Sequence, residues 1–158
     1  MDASQLNKEV LKGWLAEVPR AARQRILADA HTASFAAGTH ILAEGERADR
    51  LGIVLSGRVA LQLHVPGQGA ITIETAEVGE VFGLSALVPP NRATATVAAV
   101  GPVEALLVDA AALRASLEQD CELAAAVYFA VARALLRRLT AAHEVLTDLS
   151  TGHQPHAR

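Results

Sequence analysis

The residues with the best claim to chemistry lie in one stretch, GEVFGLSALVPPNRATATV, from Gly79 to Val97. Gly83 lets the backbone approach another group closely. Leu84, Ser85 and Ala86 open a segment, Leu84 to Val88, that predicts a single helical turn with free N–H groups facing an anion. Pro89 and Pro90 stop that turn. Arg92 then supplies a permanent charge on a planar donor fork, the geometry that suits phosphate oxygens. The small residues Ala93, Thr94 and Ala95 leave space beside it, and Thr94 adds a hydroxyl donor. Taken alone, Arg92 is more simply a solvated residue at the start of a strand. Its position just after a glycine-initiated turn, within the fold inferred below, favours the phosphate reading.

Other chemistries lack their residues. A metal centre on a β-roll needs clustered ligands such as His-x-His with a carboxylate. His31, His40, His64, His143, His153 and His156 form no such pattern, so no metal and no cofactor are expected. GLSAL ends in Leu87 where a nucleophile elbow has glycine, and no α/β context surrounds it. No paired carboxylates form a cleft motif, so the chain is not read as an enzyme. Aromatic residues at 3% argue against stacking platforms for single strands, and a net charge of −3 with a pI near 6.0 argues against a nucleic-acid backbone as partner. One cysteine, Cys121, excludes an internal disulfide and suits a reducing cytosol. The longest charge-free apolar run, Leu123 to Ala132, is too short to span a bilayer, and no secretion signal opens the chain. A cytoplasmic protein without membrane contact is expected.

The elements that must position the stretch follow in three blocks. QLNKEVLKGWLAEVP places Leu6, Val10, Leu11 and Trp14 at helical spacing up to Pro19, and RAARQRILADA places Ala22, Ile26 and Leu27 on one side. The period then drops to two. Val59, Leu61, Leu63 and Val65 alternate with polar or small residues, PGQG (Pro66 to Gly69) is turn chemistry, and Ile71, Ile73 and Thr75 alternate again. Strands are also predicted at Ala93 to Val100 and Val103 to Val108. Short strands with glycine turns at this spacing mean a sandwich or barrel-like roll. Helix returns with Asp109 as N-cap of AAALRASLEQ and continues from about Asp120 to Leu149. The chain therefore reads as one domain over 1–149, mainly β with flanking helices: helices over 4–30, a roll over 33–108, helices over 109–149. A tail over 150–158 reads as disordered.

A helical start, an eight-strand roll and a long closing helix resemble the cyclic nucleotide-binding domain of the catabolite-activator (Crp/Fnr-like) family. FAAGTHILAEGERADRLGIVLSGRVAL is similar to the family's opening strands, with Gly38, Gly45 and Gly57 at its turns. The stretch from Gly79 to Val97 is similar to its phosphate-binding cassette, the more specific match. The resemblance implies a double-stranded β-helix (jelly-roll) and a nucleotide ligand. It also implies a site made of Gly83, Leu84, Ser85, Ala86, Arg92, Ala93 and Thr94, with Arg138 and Leu139 falling where the family reaches the purine. The alternative reading is that Arg137 or Arg138 is only solvated. Leu84 departs from the pattern, since the family's cyclic AMP binders carry a Glu there that accepts from the ribose 2′-hydroxyl. Losing a charge-assisted hydrogen bond costs roughly 1.5–3 kcal/mol, a factor of about ten to more than a hundred in affinity. Removing the carboxylate removes a negative charge that would repel a second phosphate, so a cyclic mononucleotide and a cyclic dinucleotide both stay open.

Along the closing helix Cys121, Ala125, Tyr128, Ala132, Leu135, Leu139, Ala142, Leu146 and Leu149 form an a/d seam. Val127, Val131 and Ala134 lie on another side and face the roll. The family dimerises through this helix, so a homodimer is expected. Only STGHQPHAR follows Leu149, and no segment supplies a recognition helix, so direct DNA binding is not expected. Two functional classes remain: a stand-alone nucleotide sensor acting on an effector protein, and a dimeric interaction module that keeps the roll without the ligand.

Overall fold

The computed structural model describes residues 6–150. The expected tail lies outside them from residue 151 onward.

Two four-stranded antiparallel sheets form the roll. One has the order β1 (Ala30–Phe35), β8 (Val103–Asp109), β3 (Arg50–Ser56), β6 (Val81–Phe82), and the other β2 (His40–Leu42), β7 (Thr96–Ala99), β4 (Val59–Val65), β5 (Gly69–Ala76). Helices α1 (Lys8–Lys12) and α2 (Arg20–Ala28) precede it, and α3 (Ala110–Gln119) and α4 (Cys121–Ser150) follow. The jelly-roll with flanking helices is the architecture that the period change predicts.

The central strands β3 and β8 of the first sheet are buried on both faces. Leu51, Ile53, Leu106 and Val108 pack outward against Leu15, Ile26, Leu27, Leu113 and Val127 of the helices. Val54, Ala105 and Leu107 point into the roll with Val59, Leu61 and Val97. Double burial is why ALLV (105–108) and LGIVL (51–55) are continuous runs without a polar side chain rather than alternations.

Helix α4 divides along its length. Val127, Ala130, Val131 and Ala134 are buried, and Trp14 Nε1 donates to the Ala130 carbonyl at 3.3 Å, fastening the N-terminal block to α4. Tyr128, Leu135, Leu139 and Leu146 of the seam are exposed, together with Phe129 and Leu136 beside it. Asp109 accepts from Ala112 N at 2.8 Å and Asp120 from Leu123 N at 2.9 Å, so each C-terminal helix begins on an aspartate.

Three boundaries differ from the sequence reading. The first helix stops at Lys12, and Trp14–Glu17 form a 3-10 turn. At Gly13 the backbone passes so near Gly79 that an added Cβ would lie 2.1 Å from its carbonyl oxygen, and Trp14 N donates to that oxygen. Strand β1 begins at Ala30, ahead of the expected start of the roll, because Ala30 pairs with Val108. Strand β7 begins at Thr96 rather than Ala93.

Candidate functional site

The cassette starts where β6 leaves the first sheet. Gly83 has φ +72°, and an added Cβ would lie 2.7 Å from the Arg50 carbonyl oxygen. Glycine is required here by the roll itself; the close approach is to Arg50. Leu84–Ala86 form a 3-10 turn bonded from Ala86 N to Gly83 O (3.0 Å) and Leu87 N to Leu84 O (3.0 Å). Its carbonyl end is held from two sides. Asn91, in the left-handed region at φ 57°, donates its amide to Ser85 O at 3.2 Å and Ala86 O at 3.0 Å, and Arg114 of α3 donates to Ala86 O. Asn91 is a residue sequence reasoning missed; its signal was an asparagine, tolerant of this conformation, directly after two prolines.

The predicted site residues divide. Gly83, Leu84, Ser85, Ala93, Thr94 and Arg138 line a single cavity together with Leu42, Leu61, Ala95 and Val97. Arg138 therefore reaches the cassette from α4. Arg92 and Ala86 do not line it. Ala86 is fully buried in the core beneath the helices. Arg92 is exposed, and its Nη1 donates to the Gly45 carbonyl at 2.9 Å. The loop around it is sewn to the turn after β2 by Ala93 N to Glu46 O and Ala48 N to Asn91 O, both 2.8 Å, which aims the guanidinium at that turn. Leu84 is 2% exposed and packs in the helix-side core, which is where an apolar side chain in place of a carboxylate is drawn.

The cavity measures only about 20 Å³, room for about one water molecule. Arg138 closes it. Its Nε donates to Glu74 Oε2 at 2.7 Å, a second nitrogen donates to the Val81 carbonyl, and the two charged side chains are 15% and 23% exposed. Burial lowers the Arg138 pKa from its ordinary value; the nearby Glu74 charge and hydrogen bond, and then Glu80, oppose this, while Arg137 adds to it. It remains a cation. On the far side of Arg138 lies a cleft of about 470 Å³ whose lining includes Trp14, Glu17, Glu74, Arg133 and Arg137. Glu17 pairs there with Arg137 at 3.0 Å and Arg133 at 3.6 Å. Among the described residues, no group of three or more His, Cys, Asp or Glu is placed to hold a metal, and no helix is long and apolar enough to cross a membrane.

The family model for the cyclic nucleotide-binding domain matches residues 32–120, from β1 through α3 and so across the whole cassette. The chain belongs to the cyclic nucleotide-binding domain family. This family member is 29% identical over 115 residues to the CRP-like cAMP-activated global transcriptional regulator of Mycobacterium tuberculosis, an overlap of 73% of this chain and 50% of that protein. It thus spans about half the length of the curated relatives it matches. A solved protein of Geobacter metallireducens GS-15, described as cyclic nucleotide-binding, superposes with a TM-score of 0.70 at 28% identity, covering 80% of this chain and 91% of that one. The N-terminal domain of a transcriptional regulator from Streptomyces coelicolor A3(2) gives 0.67 at 26% identity, covering 83% and 94%. The family match ends before α4, so the placement of Arg138 rests on the structure of this chain.

Proposed function

We propose that this chain is a regulatory module, not an enzyme, that binds a phosphorylated nucleotide at the cassette and passes the bound state to an effector protein through α4. The observation that supports this most is the convergence of Gly83, Ser85, Ala93 and Thr94 with Arg138 on one cavity, within a chain whose family match spans the cassette. The cAMP-activated relative makes a cyclic nucleotide the first ligand to test. Leu84 lies in the core and offers no acceptor to a ribose hydroxyl, so cyclic AMP is expected to bind weakly, in the micromolar range or above. Arg92 spends its guanidinium on one exposed bond to Gly45 O. Such a bond is worth about 0.5–1.5 kcal/mol, so Arg92 is available to a phosphate at little cost. Calorimetry with cyclic AMP, cyclic GMP and cyclic di-GMP tests the reading: one of them binds, and Arg92→Ala abolishes that binding. Nanomolar cyclic AMP affinity would show that Leu84 does not weaken the site.

The second reading is a dimeric interaction module without a ligand, and the 20 Å³ cavity favours it. Both readings include a cytoplasmic homodimer through α4, supported by the exposed Tyr128, Leu135, Leu139 and Leu146 along one side of the helix. Light scattering at micromolar concentration should give a dimer, and the double variant Leu135→Glu, Leu139→Glu a monomer. No binding of any nucleotide, with Arg92→Ala silent, would leave the second reading standing.

A further inference from the structure

The pairing of β4 with β5 contains an irregularity that bears on the cavity. Leu61 pairs with Glu74 and Gln62 with Thr72, so one step on β4 spans two on β5, and Ile73 is the extra residue of a bulge. A bulge reverses the alternation of everything beyond it. Ala76 pairs with Val59 and is buried inside the roll, and Glu74, two residues before it, lies on that same inner face opposite Leu61. Leu61 itself lines the cassette cavity. A carboxylate that the simple alternation would leave in solvent is thereby aimed at the site, where it meets Arg138 at 2.7 Å.

Arg138 is the wall shared by the 20 Å³ cassette cavity and the 470 Å³ cleft beside it. The cassette cavity itself has room for only about one water molecule. Because that side chain lines both, displacing it would connect the cassette to a cleft that by itself lies within the about 300–1,000 Å³ typical of small-molecule sites. The side chain is held by a carboxylate, the same kind of anion that a phosphorylated ligand brings. Leu84 leaves the cassette without a carboxylate of its own, and Glu74, on a different strand, lies in the adjoining cleft and reaches the cassette only through Arg138.

Resting on the nucleotide reading above, we propose that Glu74 is the selectivity-determining residue of the site: it is an internal anion holding Arg138 in the wall between cassette and cleft, and a ligand displaces it by taking Arg138 onto its own phosphate. An uncharged nucleoside has no anion to offer Arg138 and leaves its pair with Glu74 in place. A phosphorylated one exchanges one anion for another and enters. The observed affinity of such a ligand is reduced by the fraction of molecules in which Glu74 keeps Arg138.

The test uses the full chain, with cyclic AMP, cyclic di-GMP and adenosine titrated into the unmodified protein, Glu74→Gln and Arg138→Gln. Whichever nucleotide binds should bind about tenfold or more tightly to Glu74→Gln and about tenfold or more weakly to Arg138→Gln, with adenosine unaffected. An ion pair that merely fastens the fold would move both variants in the same direction. That result, or an equal gain for adenosine, overturns the proposal. Should Arg138→Gln not fold, Arg138→Lys keeps the charge but loses the fork and should give a smaller loss. Hydrogen exchange without ligand separates the proposal from the reading beneath it. Faster exchange across residues 133–139 in Glu74→Gln supports the latch even if no nucleotide binds, an outcome that sinks the nucleotide reading alone. Unchanged exchange there overturns the latch.

Discussion

Arg92 and Arg138 are the two arginines among the expected site residues, and they sit in opposite surroundings. Arg92 is on a loop, exposed, with one bond to a carbonyl. Arg138 is on a thirty-residue helix, largely desolvated, with a carboxylate and a carbonyl as partners. Moving Arg92 disturbs little, whereas moving Arg138 uncovers Glu74 and loosens the contact of α4 with β5. The contrast teaches where free energy is stored around this pocket. The loop contributes charge that is ready to be redirected; the helix contributes resistance. A ligand site can carry its recognisable chemistry on one side and still be governed by the element on the other.

The comparison is most severely stressed by Leu84→Glu. Leu84 is buried against the helix-side core, so the change removes apolar packing and desolvates a carboxylate. A loss of about 2–5 kcal/mol is expected, by the scale of large core deletions. Denaturant unfolding measures it, and a loss under about 1 kcal/mol would mean that the new carboxylate had found Arg138 across the cavity. A gain in cyclic AMP affinity, which the family pattern alone would suggest, would then follow. Next comes Arg138→Ala, which strands a half-buried Glu74 carboxylate and should cost about 1–3 kcal/mol. The smallest effect belongs to Arg92→Ala. Its stability should stay within about 0.5 kcal/mol of the unmodified protein, while nucleotide binding is lost. Equal destabilisation by the two arginine variants would erase the contrast between loop and helix.

What was legible in the sequence follows the range of the forces involved. The strands of the roll, the N-cap at Asp109 and the buried line Val127, Val131 and Ala134 show up in local spacing, and the structure has them all. The cassette turn was legible for the same reason, since Gly83 and the two prolines punctuate it within a few residues. The break at Gly13 was not, because it depends on Gly79, far along the chain. The direction of Arg92 was not, because backbone bonds to Glu46 and Ala48 set it. Glu74 was hidden most thoroughly. Ile71, Ile73 and Thr75 keep a clean alternation through it, and only the pairing with β4 reveals that Ile73 is the residue out of step.

Trp14 is the single tryptophan of the chain, almost fully buried, bonded to the Ala130 carbonyl of α4 and lining the cleft that Arg138 walls. The indole thus rests on the same helix, about two turns from the gate. Its emission colour is a built-in optical gauge of α4: a shift to the red on adding a nucleotide means water has reached the indole and the helix has lifted. A constant spectrum during binding means the ligand entered with the helix still seated. The protein needs no dye to report which.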